Sequence, residues 1–245
     1  MAFPLKFSLW MRRSIESVGR LYLLPIRGIN LLKQKAYHLV FDGLADWETP
    51  YALRAITMSE RFEVVTVGFS DQPITTIGGL KLLPEITINE VSPANAGIFT
   101  LPGGDMWEQH SHEKLIDLLH RFHGENVPIA AICGATLEVA RAGLTHDVRH
   151  TSNSKEYLKA MIPDYRDDEF YVDELAVTGG HLITASGLGS IEFGREVIKL
   201  LGLFSEAETQ EWFEMFKHGV VPERYKQGET SEGAVVVQSA AADRP

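Results

Sequence analysis

One thiol carries most of the chemistry this chain could perform. Cys133 is its only cysteine, and it closes the apolar run Ile129-Ala130-Ala131-Ile132 directly before Gly134-Ala135-Thr136-Leu137-Glu138. The run reads as a buried strand and the stretch after it as the first turn of a helix. Free backbone N–H groups and the positive end of that helix would face the sulfur, which is expected to lower the thiol pKa and favour the nucleophilic thiolate. The small neighbours Gly134 and Ala135 suit a nucleophile elbow, the sharp strand-to-helix turn that lifts a reactive side chain clear of a sheet. A buried, inert thiol is the plainer alternative, because free cysteine is among the most buried residue types.

The elements needed to hold such an elbow are legible from residue 35 onward. Ala36–Phe41 reads as a first strand broken by Asp42-Gly43. Asp46 is placed to cap a helix from about Trp47 to Ser59, with Pro50 tolerated in its first turn. Phe62–Gly68 is a second, valine-rich strand. Ile74–Ile77 and Leu80–Leu83 flank Gly78-Gly79 as a short hairpin, expected as an antiparallel excursion at the sheet edge. Gly97–Leu101 is a further strand ending in Pro102-Gly103-Gly104, followed by a helix from about Ser111 to His123. After the strand ending at Cys133 come a helix through Ala142 and a short strand near Val148–Ser152. A helix at Lys155–Met161, strands at Glu174–Thr178 and Leu182–Ala185, and helices at about Ile191–Leu201 and Glu206–Lys217 complete the series. This alternation predicts an α/β fold with a mostly parallel sheet covered by helices on both faces. In such a sheet functional groups gather beyond the carboxyl ends of the strands. Asp42-Gly43 with Glu48, Gly103-Gly104, Cys133-Gly134 and Ser186–Gly189 all fall there.

The chain has 245 residues, 44% of them hydrophobic, enough for one α/β core. The expected organisation is an N-terminal extension at 1–34, a globular domain at 35–220 and a polar, alanine-containing tail at 221–245. A lone cysteine excludes an internal disulfide and any multi-cysteine zinc site, which suits a reducing cytoplasm. The formal net charge is −10, unevenly spread: residues 1–35 hold seven Lys/Arg against one Glu, and the remainder 16 basic against 32 acidic residues. A globular part that acidic is a poor nucleic-acid partner, because such affinity rests on a basic footprint.

Within the extension, Phe7, Trp10, Met11, Ile15, Val18, Leu21 and Tyr22 repeat at helical spacing opposite Arg12, Arg13, Glu16 and Arg20, a basic amphipathic helix stopped near Pro25. It admits several readings: a membrane-surface anchor, a targeting peptide, a partner-binding helix, or a segment packed on its own domain or dimer mate. No uninterrupted apolar run is long enough for a transmembrane helix, so membrane insertion is not expected.

The segment from Ala130 through Cys133-Gly134-Ala135-Thr136-Leu137-Glu138 to Gly143 resembles the nucleophile region of the DJ-1/PfpI superfamily. This is the branch of class I glutamine amidotransferase-like folds that includes intracellular proteases, glyoxalases and the Parkinson-associated protein. The similarity runs from Ala36 to about Gly202 and includes Asp42-Gly43-Leu44-Ala45-Asp46-Trp47-Glu48, Leu101-Pro102-Gly103-Gly104, and Thr184–Gly189 with Glu192-Phe193. Any one of these motifs alone is weak; four in order are specific. The resemblance implies a flavodoxin-like three-layer α/β/α sandwich, very often a homodimer, and no cofactor. It assigns Cys133 as nucleophile, Glu48 as the carboxylate beside it, and the N–H groups of Gly104 and Gly134 as an oxyanion hole. A protonated carboxyl group beside a thiol can tune its pKa and exchange a proton with substrate, and two converging N–H donors stabilise an oxyanion. For Glu48 alone, a solvated first-turn carboxylate is the plain alternative.

Two departures from that pattern matter. Many catalytic relatives place a histidine, and some a tyrosine, after the next strand; the matching stretch here is Thr151-Ser152-Asn153-Ser154. Asparagine cannot transfer a proton at neutral pH, so Asn153 can orient a substrate but not replace a base. His150 sits three positions earlier, an odd offset that points to the other face of a continuing strand. None of His146, His150, His181 and His218 begins the His-x-Glu of the amidotransferase triad, and His123-Gly124-Glu125 precedes the nucleophile, so glutamine amidotransfer is disfavoured. His110, His112, His120 and His123 invite a metal reading, but spacing alone does not make several ligands converge, and no metal is expected. Gly103-Gly104 and Ser186–Gly189 have neither a P-loop lysine nor the dinucleotide-binding spacing.

The expected function is a cytoplasmic, cofactor-free, cysteine-dependent enzyme of amidase or glyoxalase type acting on a small carbonyl or amide compound. Gly103, His150, Asn153 and Ser186 are the further pocket candidates. A redox sensor whose Cys133 is oxidised without turnover, and a non-catalytic binding or scaffold protein, are the alternatives.

Overall fold

The computed structural model describes residues 33–226. The expected amphipathic helix of the extension and the part of the tail beyond Lys226 lie outside the described residues. A seven-stranded sheet runs in the order β5-β2-β1-β6-β7-β9-β8. Its strands are β1 (Gln34–Val40), β2 (Phe62–Gly68), β5 (Ile86–Thr87), β6 (Ala96–Leu101), β7 (Ile129–Ile132), β8 (Ala176–Gly179) and β9 (Leu182–Ala185). All pairings are parallel except β8 with β9. The remaining strands, β3 (Ile74–Thr75) and β4 (Lys81–Leu82), form a separate antiparallel ribbon.

The side-chain period of two divides the core. Tyr37, Leu39, Phe99, Leu101, Ile129 and Ala131 point to one face, under α3 (Glu113–Gly124) and α4 (Ala135–Arg141). Ala36, Ile98, Ala130, Ile132, Ile183 and Ala185 point to the other, under α1 (Pro50–Met58), α6 (Ser190–Leu201) and α7 (Glu206–His218). Both faces are covered, which is why the inner strands are continuous apolar runs instead of alternating ones. Three short helices, α2 (Met106–Gln109), α5 (Lys155–Met161) and α8 (Glu223–Lys226), and two 3-10 turns, Ile88–Glu90 and Pro93–Asn95, complete the described chain. No described helix is long and apolar enough to cross a membrane.

Several expected elements are corrected. The helix predicted from Trp47 starts at Pro50, because the Asp46 carboxylate accepts the Thr76 hydroxyl at 2.6 Å instead of capping, leaving Glu48 in a turn before the helix. The hairpin does not extend the sheet edge. It braces the loop after β1: Asp42 Oδ1 accepts the Thr75 N–H at 2.7 Å, and the Gly43 and Ile77 N–H groups bond Thr75 O and Leu44 O at 2.8 and 2.9 Å. The strand expected at Val148–Ser152 is a single bridge between His150 and Tyr171. Its neighbours are held by side chains: the Thr151 N–H bonds Thr184 Oγ1 at 2.8 Å, and Ser152 Oγ bonds Thr136 Oγ1 at 2.6 Å.

Candidate active site

Chain order β1-β2-β6 crosses the sheet, so the connections after β1 and β6 leave in opposite directions and open a crevice at the strand ends. Glu48 follows β1, Gly103-Gly104 follows β6 and Cys133 follows β7. The Ala45 N–H bonds Gly103 O at 2.9 Å, tying the first two loops together.

Cys133 has φ +59°, a left-handed conformation uncommon for a residue with a Cβ. Its N–H bonds Ala185 O at 2.9 Å, and its carbonyl accepts the Thr136 N–H at 3.1 Å and the Thr136 hydroxyl at 2.6 Å. These partners hold the turn against its own preference, and the half-buried sulfur is presented above β7. Gly134 is required by packing: a Cβ there would lie 2.9 Å from Trp107 Cδ1 and 3.0 Å from Gly104 O.

Glu48 is 1% exposed, and its Oε2 accepts the Gly103 N–H at 2.6 Å. Its carboxyl group also hydrogen-bonds the Cys133 sulfur. Burial raises the Glu48 pKa above the ordinary carboxylate range, opposed by the hydrogen bonds from Gly103 and Cys133. The Cys133 thiol is pushed up to about 11, first by burial and then by the Glu48 charge, while hydrogen bonds from Asn153 Nδ2 and the Gly134 N–H act the other way. The expectation of a depressed thiol pKa is thereby corrected. Helix α4 is seven residues long, and its favourable end is outweighed by burial beside a carboxylate. Cys133 and Glu48 form a hydrogen-bonded thiol–carboxyl pair in which each group raises the other's cost of ionising.

The pair predicts an unusual variant. In Glu48→Gln the charge opposing thiolate formation is gone while burial remains, so alkylation of Cys133 by iodoacetamide at pH 8 should rise by up to about tenfold. The same change should raise the melting temperature at neutral pH. A carboxyl whose folded pKa is raised stabilises the fold below its unfolded pKa and loses that contribution as pH rises through the folded value. The gain should therefore vanish in acid, which thermal melts of both proteins across pH would reveal.

Asn153 touches the thiol, with Nδ2 3.5 Å from Cys133 Sγ, while its Oδ1 accepts the Gly187 N–H at 2.9 Å. Ser186 is buried beside this contact, its Oγ accepting the Leu188 N–H at 3.4 Å, and it does not bond the sulfur. His150 is not in the pocket. It is fully buried, with Nδ1 2.7 Å from Val148 O and Nε2 2.6 Å from Tyr165 Oη, and burial lowers its pKa. His120 bonds Ala142 O at 2.7 Å, and His112 stacks on Phe69. Among the described residues no three histidine, cysteine or acidic groups converge as metal ligands.

Trp107 and the Glu108–Tyr157 pair escaped the sequence reading. Trp107 is fully buried beneath Gly134, its Nε1 donating to Pro102 O at 2.9 Å. Tyr157 Oη donates to Glu108 Oε1 at 3.0 Å across the rim. Tryptophan after a Gly-Gly turn was a visible signal for Trp107; nothing local marks the second pair.

The DJ-1/PfpI family model matches residues 34–200, spanning every strand described above. This chain belongs to the DJ-1/PfpI family. It is 34% identical to the uncharacterized protease YoaZ of Bacillus subtilis over 75% of this chain and 91% of that protein. It is 27% identical to the deglycase PfpI of Pyrococcus furiosus over 58% and 84%. Among solved structures, the thiJ/pfpI family protein from Bacillus anthracis superposes with a TM-score of 0.74 at 32% identity, covering 80% of this chain and 95% of that one. The DJ-1/PfpI relatives thus carry both protease and deglycase names, so family membership alone leaves the reaction open.

Proposed function

We propose that this DJ-1/PfpI protein is a cysteine-dependent enzyme of amidase or glyoxalase type acting on a small carbonyl or amide compound. The observation that carries the reading is Cys133 in a left-handed elbow with the buried Glu48 carboxyl on its sulfur. As substrate enters, the thiol proton passes to Glu48 and the sulfur attacks the carbonyl carbon. The displaced π electrons settle on oxygen, stabilised by the N–H groups of Gly104 and Gly134. For an amide, the C–N bond breaks as Glu48 returns its proton to the departing amine, and water then cleaves the thioester, releasing the acid and restoring the thiol; for an aldehyde, the proton goes to the oxygen and a hemithioacetal forms on Cys133. The names protease and deglycase borne by relatives are compatible with attack on a carbonyl. Turnover of methylglyoxal and of amide substrates should fall to background in Cys133→Ser. Unchanged turnover in that variant would refute the mechanism.

A second reading rests on Asn153: besides Glu48, the side chain on the sulfur is an amide that cannot shuttle protons. Oxidation needs none. The thiolate attacks one oxygen of a peroxide, an S–O bond replaces the O–O bond, and the other oxygen leaves as hydroxide. Mass spectrometry after graded peroxide would show stepwise oxygen addition at Cys133 if this reading holds, and a protein indifferent to peroxide if it does not.

A further inference from the structure

We infer that the mouth of the Cys133 site is a charge filter that admits neutral and cationic carbonyl compounds and turns away anionic ones, with Glu108 as its specificity-determining residue. The inference rests on Cys133 being the nucleophile and concerns which molecules reach it.

The argument begins with what frames the sulfur. Two loops meet there: Pro102–Asp105, which continues into α2, and Thr151–Ser154, which continues into α5. The first carries Gly103, packed against Cys133, and the second carries Asn153, 3.5 Å from the sulfur. One step beyond each loop the chains are joined again. Trp107 turns inward beneath Gly134, so Glu108 beside it faces outward, and its Oε1 accepts the Tyr157 hydroxyl at 3.0 Å. Tyr157 lies one turn beyond Asn153, its N–H capped by Ser154 Oγ at 2.9 Å. The Glu108–Tyr157 link therefore ties together the helices that follow the two loops framing the sulfur and forms one rim above it.

A carboxylate held by one phenol hydroxyl has most of its acceptor capacity left for an incoming molecule. The cations on the surrounding elements are held elsewhere. Arg141 Nη1 donates to Trp107 O at 2.8 Å and pairs with Glu138 at 3.4 Å; Lys155 lies over the Tyr171 ring; Lys159 pairs with Asp168 at 2.5 Å. Glu48 adds a second carboxyl group on the floor of the site. Trp47 and Leu188, 52% and 85% exposed, adjoin Glu48 and Gly187 in sequence and present apolar groups to solvent. An anionic substrate meets the like charge of Glu108, and the nearby cation, Arg141, is already paired with Glu138, whereas a neutral aldehyde or amide meets no such repulsion.

Because Cys133 is the sole thiol, modification rates read this site alone. The full-length protein would be treated at about pH 8 and low ionic strength with trimethylammonioethyl methanethiosulfonate and with sulfonatoethyl methanethiosulfonate. In both reactions the thiolate attacks the sulfenyl sulfur and methanesulfinate leaves, so the cation-to-anion rate ratio is independent of the thiol pKa. The ratio at Cys133 should exceed that of 2-mercaptoethanol by about tenfold and contract at 0.5 M salt. Glu108→Gln should lower it by about threefold or more, while Glu125→Gln, an exposed carboxylate at the opposite end of β7, should change it little. An equal ratio in wild type and Glu108→Gln, or an equal loss in Glu125→Gln, would overturn the assignment, as would no modification by either reagent. Absent turnover with the ratio intact would count against the enzymatic reading alone; turnover with a ratio like that of the free thiol would count against the filter alone.

Discussion

Replacing Gly103 by alanine should lower Cys133-dependent activity by about 100-fold or more while costing about 1–3 kcal/mol of stability. Gly103 does not need glycine for its backbone angles, since it is not among the residues with positive φ. It needs glycine for space. A Cβ at this position would lie 2.6 Å from Cys133 Cβ and 2.6 Å from a Glu48 carboxylate oxygen. The carboxylate end could swing aside, but only by giving up the 2.6 Å bond from the Gly103 N–H. Cys133 Cβ cannot move without disturbing the elbow. One methyl group thus separates the two halves of the reactive pair, and a displacement near 1 Å is enough to ruin attack geometry. Urea unfolding together with iodoacetamide kinetics would measure both effects. Gly124→Ala is the matched control: nothing lies within 4 Å of its Cβ position, so neither quantity should fall.

The second large effect is acid sensitivity. His38 lies on the central strand β1, 6% exposed, with Nδ1 donating to Thr100 Oγ1 at 2.9 Å while that hydroxyl donates to Tyr37 O at 3.1 Å. The chain of donors puts a proton on Nδ1, and burial disfavours a second one, lowering the pKa to about 4 from 6.5. Between those values the unfolded state binds a proton that the native state refuses. Stability contributed by neutral His38 is therefore full above about pH 6.5, declines as pH falls and is gone below about 4, a change of about 3 kcal/mol. His150 and His112, whose pKa values burial also lowers, act with the same sign. Urea midpoints between pH 7 and 4 should fall steeply in the wild type and less steeply in His38→Gln. Parallel curves would show that His38 is not the sensor.

Most of the sheet was legible because its inner strands are short, mostly apolar runs followed within a few residues by glycine. Ile129–Ile132 followed by Cys133-Gly134 needs no partner to be recognised, and motif order brought Glu48 and Gly103-Gly104 to the same sheet end. Side-chain commitments made across long stretches of chain were not legible. Asp46 has the composition of a cap, yet it serves Thr76, thirty residues on. Val148–Ser152 has strand composition, but Thr151 and Ser152 spend their hydroxyls and amides on Glu174, Thr184 and Thr136 instead of a ladder. Glu108 and Tyr157 are 49 positions apart. The thiol pKa failed for a related reason: the helix end is local and visible, whereas burial and the Glu48 charge are supplied by the fold.

The left-handed turn at Cys133 can also be viewed as a trace of selection. A sheet-to-helix corner with φ near +59° is the natural place for glycine, and any residue with a Cβ gives up about 1 kcal/mol to stand there. A sequence chosen only to fold would have no reason to keep a cysteine at that corner, with a buried carboxylate on its sulfur. On the proposed mechanism, the least comfortable backbone position in the site is the one where usefulness has outweighed stability.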